Sequence, residues 1–246
     1  MQNITSIVLS RMMAQQRAVD VTAVNIANAG TPGFRAERLV FSDYLVRNST
    51  RGVPPGGETL TYAQDRASYR DVSPGPLTMT GNPLDLALGG DGYFTVETPR
   101  GPRLTRAGHF ELSANGEIVD SQGNALLGVG GQKLQLTPAD TTITVSADGT
   151  ISSENGQIGR IGVVRPADPF KIKPEGGRLF VAEGEPVPIE RPKILQGAIE
   201  NSNIAPTLEL TRMMRELREF EFTSKMVQSE SERLKNAIDR LTQKRA

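Results

Sequence analysis

The residue best suited to acid–base or nucleophilic chemistry is His109, because it is the only histidine in the chain. A histidine-based catalytic triad would have to use it, yet no G-x-S-x-G nucleophile motif precedes it. His109 also lies in a segment whose pattern predicts a hairpin. We therefore expect it to be a structural or surface residue.

A glycine-rich run and two nearby carboxylates are the other candidates for chemistry. The run Gly89-Gly90-Asp91-Gly92 has the look of a phosphate loop, but neither GK[ST] nor a helix pattern follows it. Asp85 and Asp91 could form a carboxylate pair, although beside these glycines they are better suited to turns. We expect no enzyme activity and no cofactor or metal.

Composition narrows the classes of partner. Lys+Arg and Asp+Glu both number 28, so the formal net charge is zero and nothing draws the chain to nucleic acid or an anionic membrane. No apolar run approaches the roughly 20 residues that a membrane helix needs. Cysteine is absent, which excludes disulfides and thiolate metal sites. The first residues lack a secretory-signal pattern, so we expect a cytoplasmic protein or one exported without cleavage.

The elements that position these residues begin with the strongest periodic pattern, in residues 210–241. Apolar residues recur there at alternating spacings of three and four, broken only by Ser224 and Ser231. This spacing predicts one seam of a long coiled-coil or bundle helix. The predicted seam residues are Leu210, Met213, Leu217, Phe220, Val227, Leu234, Ile238 and Leu241.

A second long helix is predicted over residues 3–28, with a broader and looser apolar face. We expect this face to pack against the C-terminal seam. The helix should end before Pro32, with Gly30 in a left-handed cap. The predicted packing residues are Ile4, Ile7, Val8 and Met12.

Between the helices, residues 77–190 predict an all-β barrel or sandwich. Short β-type runs at residues 84–88, 93–96, 143–145, 160–164 and 178–181 alternate with turn dipeptides. The dipeptides Asp91-Gly92, Asn115-Gly116, Asp148-Gly149 and Asn155-Gly156 tolerate the positive φ of hairpin turns. From residue 196 the pattern returns to helix, with Asn203 predicted as N-cap and Pro206 in the first turn.

The predicted fold class is α+β. Residues 1–34 and 200–246 form a terminal-helix coiled-coil module, residues 35–76 an extended linker, and residues 77–199 an inserted β-rich domain. Residues 41–76 have turn and linker composition with scattered tyrosines. They are either a flexible linker or an extended segment that orders against neighbouring molecules.

One helix pair far from the β domain should be marginally stable alone, because apolar burial along one seam must oppose the entropy of ordering many residues. We infer that contacts with other subunits stabilise the termini.

Four stretches of the chain carry a family resemblance. They are NIANAGTPGF at residues 25–34, TGNPLDLALGGDGYF at 80–94, LTRAGHF at 104–110 and QGAIENSNIAP at 196–206. In this order they resemble the flagellar basal-body rod proteins of the rod/hook axial family. The length, the ADGTI run at 147–151 and the REFE run at 218–221 are most similar to the proximal-rod type. Distal-rod members usually carry RAYE there and are somewhat longer.

The resemblance implies a structural subunit whose paired terminal helices line a hollow tube that transmits torque. It implies export without cleavage through the flagellar type III apparatus, assembly in the periplasm, and partners that are copies of the chain and other rod proteins. Val24 departs from the family pattern, where another Asn is common, and His109 stands where Asp or Asn is frequent. The family-motif residues are Asn25, Asn28, Thr31, Gly33, Phe34, Asn201, Ser202 and Asn203.

Two alternatives stay open at this point. The chain could be a distal-rod or hook axial protein. It could also be a secreted β-rich binding module whose terminal helices trimerise it. That module would form a stable small oligomer with a ligand surface, whereas a rod subunit would be a monomer with unstructured ends that joins an open helical assembly.

Overall fold

A helix stands at each end of the chain, and strands fill the sequence between them. The structure, a computed structural model, describes residues 2–47, 59–137, 140, 142–168, 171–176 and 178–243. Within its helices and first two strands, the side chains of residues 2–7, 41–47, 59–67, 234, 237, 238 and 241–243 lie outside this description. The observed elements make the fold α+β, as the sequence predicts.

The chain divides into two units. The helical unit comprises Met1–Ala27, Glu37–Tyr69 and Ala205–Ala246, and the β unit comprises Asn28–Ala36 and Arg70–Ile204. Residues 28–34 and 200–204, assigned from sequence to the helical module, therefore group with the strands. These two segments are hydrogen-bonded to each other within the β unit, where Gly33 donates its amide hydrogen to the Glu200 carbonyl oxygen at 2.8 Å.

The helical unit holds α1 (Gln2–Ala27), α2 (Pro206–Gln243) and a two-stranded sheet of β1 (Glu37–Arg47) and β2 (Thr59–Arg70). The two helices pack against each other, and α1 also contacts β1. Strands β1 and β2 lie within the range that sequence composition assigned to a linker.

Helix α2 begins at Pro206, where the missing amide hydrogen and fixed φ of proline suit the first helical position. The amides of Leu208 and Glu209 both donate to the carbonyl oxygen of Ala205. The prediction of Asn203 as the N-cap is wrong. Its side chain is held by hydrogen bonds to residues of the β unit instead.

The β unit is built from short strands. Its largest sheet has nine strands in the order β14-β15-β6-β5-β9-β8-β7, with β13 pairing to β5 and β16 pairing to β13. Smaller sheets are β10-β11-β12, β17-β4 and β18-β3. The strands are β3 (Leu77–Met79), β4 (Leu86–Leu88), β5 (Tyr93–Thr98), β6 (Gly101–Thr105), β7 (Phe110–Leu112), β8 (Ile118–Asp120), β9 (Ala125–Leu126), β10 (Ile143–Val145), β11 (Thr150–Ser153), β12 (Gly156–Arg160), β13 (Val163–Arg165), β14 (Ile172–Gly176), β15 (Leu179–Ala182), β16 (Val187–Pro188), β17 (Ile194–Gln196) and β18 (Ala198–Glu200).

Three of the four turn dipeptides form hairpins as predicted; Asp91-Gly92 does not, because β4 before it pairs with β17 and β5 after it pairs with β6, β9 and β13. Gly92, Gly116, Gly149 and Gly156 all have positive φ, which L side chains rarely adopt. The last three join antiparallel neighbours, β7 to β8, β10 to β11 and β11 to β12. These local signals therefore fix three hairpins of the β unit.

One apolar core joins most of these sheets. Its centre is an edge-to-face pair of Phe94 and Phe110, whose ring centroids lie 5.5 Å apart. Each such ring contributes roughly 1.5–3 kcal/mol when fully buried. The core also takes in Leu86 on β4, Ile151 on β11 and Ile194 on β17. This shared core holds the short strands in one unit.

Candidate functional site

The less exposed positions of α2 define the face that it turns inward within the helical unit. Apart from Ser224, they recur at alternating spacings of four and three: residues 209, 213, 216, 220, 223, 227 and 230. Every second position of this series is apolar, namely Met213, Phe220 and Val227, which are all half-buried. The positions between them are polar: Glu209, Glu216, Thr223 and Glu230. The inward face is therefore apolar at only every second position.

The predicted seam residues divide between two faces. Met213, Phe220 and Val227 lie on the inward face, but Leu210 and Leu217 are 48% and 38% exposed. On α1, Val8 and Met12 are half-buried. The remaining predicted seam residues lie within the helices, but their side chains are outside the described residues: Ile4, Ile7, Leu234, Ile238 and Leu241.

The polar half of the inward face has specific partners. The Thr22 hydroxyl of α1 donates to Glu216 Oε2 at 2.9 Å, and Arg38 Nη1 of β1 donates to Glu209 Oε1 at 2.7 Å. Burial raises the pKa of Glu216 above its ordinary value of 4.5, and the hydrogen bond from Thr22 opposes that shift only in part. Ionised Glu216 therefore weakens the packing of α1 on α2.

A Glu216→Gln variant is expected to stabilise the helix pair at neutral pH and to reduce its pH dependence. Because the pKa is raised in the folded state, the favourable contribution of the protonated carboxyl is complete below the unfolded pKa and is lost as pH rises through the folded value. The gain should stay under about 1 kcal/mol, since the carboxylate is partly solvated. Helix content followed by circular dichroism against pH measures it.

The control for this prediction is Glu221→Gln, which changes an exposed carboxylate on the same helix. It should leave the pH profile of helix content unchanged. Equal responses of the two variants would show that Glu216 has no special role in the helix pair.

Both helices also expose large apolar side chains. On α1 these are Leu9, Met13 and Val24, of which Met13 is 67% exposed. On α2 they are Leu208, Leu210, Met214, Leu217, Phe222 and Met226, of which Phe222 is the most exposed at 73%. Apolar side chains gathered on an outer surface in this number are typical of a protein–protein interface.

Asn25, the first family-motif residue, joins α1 to β1 within the helical unit. Its side chain is 1% exposed. Asn25 Nδ2 donates to the Glu37 carbonyl oxygen at 2.9 Å, and Asn25 Oδ1 accepts the Glu37 amide hydrogen at 2.9 Å. The amide side chain thus pairs with β1 as a neighbouring strand would, which explains why an asparagine suits this position.

An Asn25→Ala variant is expected to destabilise the contact of α1 with β1 by about 1–3 kcal/mol, because it removes two hydrogen bonds between the buried Asn25 side chain and the Glu37 backbone. The adjacent Val24→Ala variant is the control, since Val24 is exposed. Hydrogen exchange at the Glu37 amide measures the effect. Similar exchange in both variants would contradict it.

In the β unit, the four motif stretches meet at one buried carboxylate. Glu200 is 1% exposed; its Oε1 lies 2.8 Å from Arg35 Nη2 and its Oε2 lies 2.5 Å from Arg106 Nε. Arg106 also donates to the carbonyl oxygens of Leu88 and Gly92. The stretches 80–94, 104–110 and 196–206 each supply a group to this cluster, and Arg35 directly follows the stretch 25–34. We term the three charged residues the Arg35–Glu200–Arg106 triad. Sequence reasoning missed all three residues.

The remaining motif residues surround this cluster. Asn203 Oδ1 accepts the Ala36 amide hydrogen at 2.8 Å, and its Nδ2 donates to the carbonyl oxygens of Asp71 and Ser73 at 3.1 Å. Asn201 Nδ2 donates to the Thr78 hydroxyl, and the Ser202 hydroxyl accepts the Ile204 amide hydrogen. These side chains hold residues 201–204 in place within the β unit.

Residues of the first motif stretch, 25–34, stabilise the turn after α1. The Thr31 hydroxyl bonds to Asn28 Oδ1 at 3.3 Å, and the Arg70 guanidinium lies over the Phe34 ring at 5.2 Å. The left-handed residue here is Gly33, with φ +72°, and not Gly30 as predicted. A Cβ at residue 33 would lie 2.5 Å from the Ala107 amide nitrogen, so only glycine fits.

The residues singled out for chemistry take structural positions. His109 Nδ1 lies 2.6 Å from Asp85 Oδ1, and the second carboxylate oxygen of Asp85 accepts the Thr80 hydroxyl hydrogen at 2.6 Å. Asp85 is thus engaged with a turn and a histidine, while Asp91 lies exposed on the loop before β5. Among the described residues, no group of three or more His, Cys, Asp or Glu could hold a metal ion.

No helix of the described part of the chain is both long and apolar enough to cross a membrane.

Three family models match the chain in sequence order. Residues 7–35 match the model described as flagella basal body rod protein. Residues 87–153 match the flagellar hook protein FlgE/F/G D1 domain, and residues 195–240 match the C-terminal model of the flagellar basal body rod FlgEFG proteins. The matches include most of α1, the middle of the β unit and most of α2.

Full-length relatives agree with these models. The flagellar basal-body rod protein FlgF of Caulobacter vibrioides is 34% identical over 248 residues, covering 98% of each chain. FlgF of Mesorhizobium japonicum is 33% identical, covering 99% of this chain and 100% of its own. The rod protein FlgG of Bacillus subtilis is 28% identical, covering 94% and 96%.

Proposed function

Since the chain belongs to the flagellar basal-body rod protein family, we propose that α1 and α2 are the elements through which it polymerises into the rod. It is a structural, FlgF-like subunit of the bacterial flagellar basal-body rod, and no catalytic family is indicated. Its relatives are rod proteins, in keeping with partners that are further copies and other rod or hook proteins.

The exposed apolar side chains of both helices carry this proposal. In the isolated chain, Met13, Leu208, Met214 and Phe222 are each more than half exposed. Their removal from water on contact with neighbouring subunits would stabilise an assembly by roughly 1.5–3 kcal/mol for each side chain that becomes fully buried. The sequence pattern places Phe220 and Leu217 in one seam. Phe220 would then pack within the helix pair, and Leu217 would pack against a neighbouring subunit.

The polar composition of the inward face supports the same conclusion. Polar residues at the core positions of a coiled coil favour one register of the two helices but lower the stability of the pair. Glu209, Glu216 and Thr223 occupy such positions on α2. We propose that α1 and α2 form a coiled-coil pair that is weak in the free chain and is completed by other subunits.

We further propose that the helices line the inside of the hollow rod and transmit torque from motor to hook, with residues 77–199 as the outer domain. Residues 35–76 would link the two, and part of them forms β1 and β2. Export through the flagellar type III apparatus without cleavage fits a weakly folded helical unit, because narrow export channels pass unfolded chain.

Deleting the gene in its own organism tests the function directly. Basal bodies isolated from the deletion strain should lack a complete rod, and a plasmid copy of the chain should restore the rod and swimming. The restored chain should be found in washed basal bodies by mass spectrometry. Complete rods in the deletion strain would contradict a structural role in the rod.

A further inference from the structure

Helix α2 exposes two apolar surfaces, one on each side of its inward face. Leu210, Met214 and Leu217 recur at spacings of four and three and are all exposed. Phe222 and Met226 lie one turn apart and are also exposed. At about 100° per residue, the two sets lie roughly 110° to either side of the centre of the inward face. One flat contact therefore cannot cover both surfaces.

The second set forms one wall of a groove between the two helices. Phe222 and Met226 line this groove together with Val8 of α1, which is half-buried, and its volume is about 390 Å³. We call it the 222–226 groove. An apolar groove between two helices can accept the apolar face of a further helix.

The rim of the 222–226 groove is basic. Arg11 of α1 and Arg218 of α2 line it together with Glu219. Both arginines are exposed, and among the described residues neither forms an ion pair. Two arginines and one glutamate leave the rim with a net positive charge. A carboxylate on an incoming helix would therefore be attracted to this rim.

The first apolar set has the composition that fits this groove. Leu210, Met214 and Leu217 are followed one turn further along α2 by Glu221, which is exposed. Within the described part of the chain, no ion pair joins Glu221 to another side chain. We call these four residues the 210–221 strip. It presents three apolar side chains and one carboxylate in line.

We propose that the 210–221 strip of one copy docks into the 222–226 groove of a second copy, with Glu221 against Arg11 and Arg218. The two surfaces differ, so the contact is heterologous and leaves one groove and one strip open for the next copies. Such contacts build rings or open helical assemblies, not two-fold pairs. The inference rests on the proposed function, because it names the surfaces through which the helices polymerise.

Cysteine cross-linking tests the contact, since the chain itself has no cysteine. One cell expresses two copies with different epitope tags, one carrying Met214→Cys and the other Met226→Cys. Its basal bodies are isolated and treated with a short bis-maleimide. A product carrying both tags is expected, whereas neither variant expressed alone should form a cross-linked pair. The control combines Met214→Cys with Glu183→Cys, on an exposed residue of the β unit, and should give no mixed product.

Charge reversal tests the same contact in the assembled rod. Arg11→Glu and Glu221→Arg each place like charges together, and each should lower the mixed product about fivefold, as for an exposed ion pair that becomes repulsive. A chain carrying both changes restores the opposite charges. It should recover the mixed product and swimming.

The outcomes separate this contact from the proposed function. Cross-linked pairs formed by either cysteine variant alone would overturn the proposal, because like surfaces would then meet. Basal bodies that contain both variants but yield no mixed product would also overturn it and leave the proposed function intact. Absence of the wild-type chain from basal bodies would contradict both.

The charge reversal decides the question if a cysteine variant is not incorporated into the rod. Swimming that is lost in Arg11→Glu and Glu221→Arg and restored in the double variant supports the contact. A double variant that swims no better than either single one would overturn it.

Discussion

A Glu200→Gln variant is expected to lose about 3–5 kcal/mol of the β unit's unfolding free energy, because it leaves two buried guanidinium groups without their counter-ion. Glu200 holds Arg35 and Arg106 and also accepts the Gly75 amide hydrogen at 2.9 Å. Domains of this size are stable by only about 5–15 kcal/mol, so the loss is severe. Urea unfolding of the purified chain measures it.

Glu183→Gln is the matched control. Glu183 pairs with Lys173 in the same unit, but both side chains are largely exposed. Exposed ion pairs contribute little, so this variant should unfold at the wild-type urea concentration. An unfolding midpoint of Glu200→Gln equal to that of Glu183→Gln would show that the triad does not hold the β unit together.

A Phe222→Ser variant is expected to abolish swimming while leaving the free chain as stable as the wild type. Phe222 is 73% exposed in the helical unit, so its loss removes little internal packing. At the centre of an interface a large aromatic side chain commonly contributes about 2 kcal/mol or more. Because every subunit of a polymer carries the change, the defect is repeated along the rod. Swarm diameter and electron microscopy of basal bodies measure it.

Lys225→Ser provides the control, since it truncates another exposed side chain on the same helix without removing an apolar contact. It should swim almost normally. Normal rods in the Phe222→Ser strain would place the subunit contact elsewhere on the chain.

The helices and hairpins were predictable because their signals are local. Periodic apolar residues placed α1 and α2 to within a few residues, and Asn-Gly and Asp-Gly pairs placed three hairpins. The face of α2 was harder to predict. Counting apolar residues grouped Leu210 and Leu217 with Met213 and Phe220, although the inward face pairs the latter with Glu209 and Glu216.

The reason for this difference is that polar residues at the inward face have partners far away in sequence. Glu216 is bonded to Thr22, and Glu209 to Arg38. No periodic template contains such pairs, because each depends on how two distant segments meet. An exposed leucine in an isolated subunit is also indistinguishable, by sequence, from a buried one.

The Arg35–Glu200–Arg106 triad was missed for a related reason. Charged residues are mostly exposed, so a sequence pattern gives no cause to place Glu200 in a core. The positions of the three residues could have indicated the triad, since each lies inside or directly beside a motif stretch. Motif stretches from distant parts of a chain commonly meet in the fold, and their charged members are then candidates for buried pairs.

The measurement that tests the central claim most directly is residue-level hydrogen exchange on the free chain and on isolated basal bodies, with the mass of the free chain determined by light scattering. A weak helix pair completed by other subunits predicts a monomer with a protected β unit and rapid exchange in α1 and α2. In basal bodies both helices should become protected. Fully protected helices in a discrete small oligomer of the free chain would contradict the account, because the helical unit would then be complete without the rod.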